Sequence, residues 1–167
     1  MRTQGQFTRR FEWSPVAFWI ILHVLAMFIA FAFTTGVGVY LSAIADTLDV
    51  RTIRTAVRIA RPLQTAGISI LLIGVVFGFA TAGAVGFSLT SKWLIEAYVL
   101  VALLLIVGLG IHQTWIARLA RAAAASPDDH ASPELATVVA DRLVRIAGPV
   151  SGLLWIALIA IMILKPS

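Results

Sequence analysis

The chain has 167 residues, of which 60% are hydrophobic and 13% are charged, and its mean hydropathy is +0.96. A soluble domain of this size needs more polar residues to cover its surface, so the composition indicates a protein that lies in a lipid bilayer. The net charge is +5, but the basic residues lie almost entirely beside the apolar segments. This pattern argues against nucleic acid as a partner and indicates contact with anionic headgroups. The chain has no cysteine, which excludes disulfides, iron–sulfur clusters and cysteine nucleophiles.

Four apolar segments are long enough to cross a bilayer as helices, which takes about 20 residues each. They cover residues 16–45, 63–85, 93–117 and 146–164. The pair Ser14-Pro15 is a typical helix start, because serine caps the first turn and proline fits within it. We therefore expect one all-α membrane domain over residues 1–167, a bundle of four transmembrane helices with helical extensions beyond the bilayer.

The connection between the first two spans, residues 46–62, carries four arginines at spacings of three, four and three. They are Arg51, Arg54, Arg58 and Arg61. This spacing places all four on one face of a helix. One interpretation is a basic interfacial helix that binds acidic lipid or a partner protein. The other is a long helix that extends beyond the membrane and whose arginines snorkel to the headgroups.

The connection before the last span, residues 118–145, contains two sequences that resemble helix starts. They are Ser126-Pro127-Asp128-Asp129 and Ser132-Pro133-Glu134. From Glu134 onward the chain reads as an amphipathic helix that leads into the last span.

The distribution of arginine and lysine predicts the orientation of the spans. The first and third connections share one side of the membrane and hold more basic residues than the other side, even with Arg2, Arg9 and Arg10 counted there. Basic residues favour the cytoplasmic side. We expect both termini to be periplasmic and the protein to lie in a bacterial cytoplasmic membrane.

Small residues recur along the spans at spacings that let helices approach closely in lipid. The glycines that carry this pattern are Gly36, Gly38, Gly74, Gly78, Gly148 and Gly152. We expect them to form tight helix–helix contacts, within the chain or between protomers. The alternative is that they leave room for a flat ligand against exposed backbone.

Ionisable groups inside a membrane span are functional candidates by default. His23 in the first span and Glu96 in the third enter from the same side, so they share a leaflet and can meet if their helices are neighbours. Three interpretations of His23 stay open: a hydrogen bond to a neighbouring helix, a cofactor ligand, or a proton-handling pair with Glu96. Glu96 itself also reads as an interfacial carboxylate.

A third histidine, His112, lies about 30 Å along the third span from Lys92, near the opposite face of the membrane. It therefore cannot share a metal or a haem iron with His23. Its neighbours Gln113 and Trp115 predict a histidine at headgroup level, and the tryptophans in general are expected to mark interfaces. No metal site, nucleophile–base pair or phosphate-binding loop is present in the sequence, so hydrolytic and nucleotide-using enzymes have no support.

The chain resembles a bacterial family of four-helix integral membrane proteins, domain of unknown function 2269. The resemblance rests on His23 early in the first span, on Gly36 and Gly38 beyond it, and on SKWLIEAYVLVALLLIVG at the start of the third. It covers about residues 16–117. That family is similar in architecture to the copper-resistance D proteins and to the membrane-bound protoporphyrinogen oxidases.

In the oxidases, an early first-span histidine and a lysine just after a tryptophan–leucine pair are linked to haem binding and activity. His23 matches the first position, whereas Ile95 and Glu96 follow Trp93-Leu94 in place of the lysine. The resemblance thus implies haem binding through His23 without the oxidase activity.

The sequence predicts a small polytopic membrane protein of a binding or accessory kind, which acts through helix packing with itself or a membrane partner. The alternative is a haem-dependent redox protein in which His23 is an axial ligand and Glu96 adjusts its protonation or orientation.

Overall fold

A computed structural model describes residues 14–165, and that part of the chain consists of helices joined by short loops and contains no strand. The helices are α1 (Pro15–Ala45), α2 (Val50–Val85), α3 (Lys92–Ala125), α4 (Pro133–Val139) and α5 (Arg142–Leu164). Four segments are long and apolar enough to cross a membrane. Three of them are the helices α1, α2 and α3, and the fourth consists of α4 and α5 together. The predicted all-α, four-span membrane bundle with helical extensions is confirmed. The arginines of the N-terminal tail and Trp13 lie outside the described residues.

Side-chain caps determine where the helices begin. The Ser14 hydroxyl accepts a hydrogen bond from the Ala17 amide at 3.1 Å, so the predicted start of α1 is confirmed. The Ser132 hydroxyl accepts from the Leu135 amide at 3.2 Å and starts α4, as its sequence predicts. Helix α2 begins within the arginine-rich connection, where the Asp49 carboxylate caps it. The arginines therefore lie on a continuous extension of the second span.

The predicted helix start at Ser126-Pro127 is wrong. Helix α3 ends at Ala125, and residues 126–131 form a loop. The Ser126 hydroxyl donates to the Ala122 carbonyl at 2.9 Å and lies 2.9 Å from the Ser132 hydroxyl, so this serine closes one helix instead of opening another.

The amphipathic helix expected from Glu134 is also interrupted before the last span. It breaks where Asp141 accepts a hydrogen bond from the Leu143 amide and caps α5.

Two of the spans are not α-helical along their whole length. Residues Ala32–Gly36 of α1 and Ile106–His112 of α3 are π-helical. Such segments are uncommon and occur frequently at functional sites. The sequence did not predict these π-helical segments. A π-helical turn differs from an α-helical turn by one extra residue, which leaves no distinct pattern in an apolar segment.

The helices pack in pairs. Helix α1 lies along α2, the first half of α3 packs on α5, and the second half of α3 packs on α2. A Cβ atom at Gly67 would lie 2.9 Å from the Phe33 Cβ, and one at Gly74 would lie 2.9 Å from the Met27 sulfur. We call this contact, formed by Gly67, Gly74 and Gly78 of α2 against α1, the glycine seam. Gly74 and Gly78, two of the six glycines expected to pack closely, lie in this seam together with Gly67.

The other four predicted packing glycines make no such contact within residues 14–165. No atom of those residues lies within 4 Å of a Cβ placed at Gly36, Gly38, Gly148 or Gly152. Contact between protomers, the other part of that prediction, remains a prediction.

Buried apolar side chains form two cores. The loop-side core consists of Leu41, Ala45, Val50, Ile53, Ala56, Val57, Ala60, Trp115, Ile116, Leu119, Ala122, Ala123, Leu135 and Val144. The span core consists of Ala30, Leu71, Ala97, Leu104, Trp155 and Leu158. Trp115 and Trp155 are each only 3% exposed, so these two tryptophans build cores and do not mark the interfaces that the sequence predicted for tryptophan.

Candidate functional site

The four arginines of α2 divide into two pairs with different surroundings. Arg54 donates to the Ala123 carbonyl at 2.8 Å and to the Ser126 carbonyl, and it also pairs with Asp128. Arg51 lies 3.5 Å from the same carboxylate. A cation at the end of α3 is favourable because the last carbonyls of a helix carry partial negative charge. Arg51 and Arg54 thus hold the loop that follows α3.

Arg58 and Arg61 are exposed, and within residues 14–165 neither forms an ion pair or a side-chain hydrogen bond. With Arg54 they lie along a groove of about 880 Å³ between α2 and α3, which we call the arginine groove. Its remaining lining residues are Val57, Pro62, Thr65, Ala66, Ser69, Ala120 and Ala124. The groove is therefore basic at one end and is lined by small and hydroxyl-bearing residues along its length.

Ion pairs outside the spans fasten the connections beside this groove. Arg118 binds Asp141 at 2.5 Å, and Arg145 lies 3.3 Å from Asp46. The hydrogen bond from Arg118 lowers the pKa of the Asp141 carboxyl below its ordinary value. The start of α5 is thus tied both to α3 and to the turn after α1.

A second polar site lies inside the bundle, and we call it the polar chamber. Each of the four spans contributes at least one buried or half-buried polar side chain, including Thr35 from α1, Gln64 from α2, His112 from α3 and Ser151 from α5. The other lining residues are Thr34, Ile68, Leu71, Leu104, Leu105, Gly108 and Trp155. The cavity has a volume of about 20 Å³.

The chamber contains polar atoms without partners. Neither amide atom of Gln64, whose exposure is 0%, has a hydrogen-bond partner in the described part of the chain, and neither has the Thr35 hydroxyl. Each unpaired buried group costs on the order of 1–3 kcal/mol. The Thr34 hydroxyl, in contrast, donates to the Ala30 carbonyl at 2.8 Å. The chamber is thus the place in the described bundle where polar atoms are buried and unsatisfied.

Both π-helical segments line this chamber. The first supplies Thr34 and Thr35, and the second supplies Gly108 and His112. Along the chain, the polar residues of the chamber fall between those of the loop-side core and those of the span core, and the apolar lining residues Leu71, Leu104 and Trp155 belong to the span core. Gln64 lies three residues beyond Arg61, which places it roughly 4.5 Å deeper along α2.

Sequence reasoning missed the chamber. His112 is only 9% exposed and faces the interior of the bundle, which the sequence did not predict, while its level relative to the headgroups remains a prediction. Gln64 was not predicted as a site residue, because a single amide side chain in a long apolar helix does not form a recognisable motif. The available signal was that each span has a neutral polar residue or histidine, at Thr35, Gln64, His112 and Ser151.

His23 forms a hydrogen bond between helices. Its Nδ1 lies 2.7 Å from the Gly74 carbonyl oxygen, which can only accept, so Nδ1 is the protonated nitrogen. The imidazole lies against Gly78, where a Cβ atom would be 3.0 Å from the His23 Cε1. The predicted hydrogen bond to a neighbouring helix is confirmed.

Glu96 is half-buried on α3, and within residues 14–165 it forms no hydrogen bond or ion pair with His23. The main neighbour of α1 is α2, whereas the first half of α3 packs on α5, so the structure does not bring the two side chains together. No group of three histidine, aspartate or glutamate side chains within the described residues could hold a metal ion. A cofactor role for His23 and Glu96 remains a prediction.

These features define an all-α integral membrane protein with four spans, a basic groove at one end and a polar chamber within the bundle. Comparison with known proteins finds no matching family model, and no curated protein and no solved structure matches the chain. The chemistry of the two sites is therefore the basis for assigning a function.

Proposed function

We propose that this is a small membrane protein of the binding kind, not an enzyme, and that its arginine groove holds the headgroup of an anionic phospholipid. One observation carries the proposal: Arg58 and Arg61 lie together at a groove that has no carboxylate among its lining residues. Guanidinium groups match phosphate oxygens in geometry as well as in charge, and two adjacent arginines recognise one phosphate.

The rest of the groove suits the remainder of such a lipid. From Arg61 to Ser69 the groove extends about 12 Å along α2, toward the apolar part of the span. The Thr65 and Ser69 hydroxyls donate to backbone carbonyls one turn earlier. Thr65 also accepts from the Gln113 side chain at 3.3 Å, so it keeps one acceptor position and Ser69 keeps two. The alanines leave space for an acyl chain. With the termini periplasmic, as the basic residues predict, the groove faces the cytoplasmic leaflet, where anionic lipids attract such residues.

Native mass spectrometry of the detergent-purified protein tests this proposal. We expect added phosphatidylglycerol to be retained and phosphatidylcholine to be lost. Arg58→Gln and Arg61→Gln are each expected to weaken phosphatidylglycerol retention about fivefold, since one basic side chain contributes about 1 kcal/mol. The matched control is Arg142→Gln, an exposed arginine at the same end and outside the groove. Equal retention of the two lipids by the native protein contradicts the proposal.

The binding role includes contact with another helix, either of a second copy or of a membrane partner. Gly148 and Gly152 of α5 support this part of the proposal, because no atom of the described part of the chain lies within 4 Å of a Cβ placed at either. Such pairs permit close helix contact in lipid. Photobleaching of labelled protein in dilute vesicles measures self-association. We expect the native protein to form dimers and the Gly152→Leu variant to be monomeric. If the native protein is monomeric at every dilution, self-association is contradicted and the partner must be a different membrane protein.

One observation favours the haem-binding redox alternative. His23 donates from Nδ1 to the Gly74 carbonyl and leaves Nε2 as the nitrogen with a free lone pair, as metal-ligating histidines commonly do. A Cβ atom placed at Gly78 would lie 3.7 Å from Nε2 and 3.1 Å from Nδ1, so Nε2 is the ring nitrogen farther from Gly78. A Soret band that His23→Ala abolishes would favour this alternative. A colourless protein from haem-replete cells would count heavily against it.

A further inference from the structure

We infer that the polar chamber is a binding site for a single water molecule, which joins all four spans by hydrogen bonds. This site is distinct from the arginine groove, since the two share no lining residue.

The size of the chamber limits its occupant. A cavity must offer about 10–15 Å³ to hold one water molecule, and the chamber offers about 20 Å³. A larger polar ligand does not fit without moving the helices. Cavities of similar size with purely apolar linings stay dry, whereas polar cavities of this kind hold ordered water.

The unpaired atoms match the hydrogen-bonding capacity of water. Gln64 offers a donor at Nε2 and an acceptor at Oε1, and the Thr35 hydroxyl can serve as either. Water both donates and accepts, and a buried water molecule makes two to four hydrogen bonds, enough for one to each span. The Ser151 hydroxyl and the His112 imidazole, both buried, complete the polar lining. One water molecule therefore satisfies groups that the protein leaves unsatisfied.

The lining also indicates that the occupant is neutral. Among the residues that the structure describes, no aspartate, glutamate, lysine or arginine lines the chamber, and His112 is the one titratable lining residue. A neutral imidazole offers one donor and one acceptor, which water can use and which provides no counter-charge. An ion buried there without a counter-charge would be strongly disfavoured.

Water-edited solid-state NMR of the native protein in phosphatidylcholine bilayers tests this inference without any substitution. We expect magnetisation transfer from water protons to the Gln64 side-chain amide, assigned through its own backbone signals. The Leu158 amide, in the span core, should show none. A Gln64 side chain as free of water contact as Leu158 overturns the proposal.

Variants test which side chains hold the water. In the double variant Thr35→Val/Ser151→Ala we expect the transfer to Gln64 to be lost, because two of the partners are gone. The control is Thr81→Val/Thr137→Val, which also removes two hydroxyl groups, from positions outside both sites where each hydroxyl donates to the carbonyl one turn before it. The control should keep the transfer. Full transfer in the Thr35→Val/Ser151→Ala protein overturns the chamber as the source of the signal.

Discussion

The loop-side core and the span core are stabilised in different ways. Around the loop-side core, polar groups have defined partners: the Trp115 indole donates to the Val138 carbonyl at 3.0 Å, Arg54 closes the end of α3, and Arg118 binds Asp141. Beside the span core, the close approach of backbones at the glycine seam takes the place of such contacts. Lipid is as apolar as leucine, so helices in the bilayer associate through packing, whereas helices that reach water also gain from burial.

Leu135→Ala tests the loop-side core and should have the largest effect. Leu135 has 0% exposure and is the buried residue of the short helix α4. Deleting its side chain leaves a cavity, so we expect a loss of about 2–5 kcal/mol in the free energy of unfolding, measured by detergent titration and circular dichroism. Leu143→Ala, at a position that is 57% exposed, is the control and should change little. Equal effects would mean that α4 is not part of a packed core.

Gly67→Ala tests the glycine seam. The added Cβ would lie 2.9 Å from the Phe33 Cβ and 3.3 Å from the Thr34 backbone nitrogen, so α1 and α2 must separate. We expect a loss of about 1–3 kcal/mol in the same measurement. The control, Gly36→Ala, adds a Cβ into open space and should be neutral or stabilising by up to about 1 kcal/mol, since alanine favours helix. Gly67→Ala behaving like Gly36→Ala would show that the seam is loose.

His23→Leu removes the hydrogen bond across the seam and keeps an apolar side chain of similar size. We expect a loss of about 1 kcal/mol or less, which is the range for hydrogen bonds between membrane helices. His130→Leu, at an exposed loop position, provides the control in the same titration. A loss several times larger would mean that His23 holds more than the Gly74 carbonyl.

Acidification should have the smallest effect and should act through the loop side. The pKa of Asp141 is lowered in the folded protein by its hydrogen bond from Arg118, relative to an ordinary value of 3.8. Its stabilisation is therefore complete above that pH and is lost as the pH falls through the lowered pKa. We expect a decrease within about 1 kcal/mol, as for other exposed ion pairs. Asp141→Asn should remove this part of the pH dependence; an unchanged profile would contradict it.

The sequence was sufficient to predict what depends on composition and local pattern. The apolar segments predicted the four spans, and Ser14 and Ser132 predicted two helix starts. The same rule failed at Ser126, because whether a serine caps one helix or closes another depends on the contact with Ser132. The partners of the arginines and the convergence of four polar side chains also depend on tertiary contacts. The burial of His112 in the interior of the bundle was not predictable from its neighbours in sequence.

The two π-helical segments have a consequence for reading sequences of this kind. One extra residue in a turn rotates everything after it by about 100° relative to an uninterrupted α-helix. In α1, the segment Ala32–Gly36 lies between the residue of the span core and those of the loop-side core. In α3, the segment Ile106–His112 separates the two sets of core residues in the same way. Each of these spans is thus two helices of different phase joined end to end. Removing a single residue from such a segment would turn one half of the span and carry its core side chains toward the acyl chains.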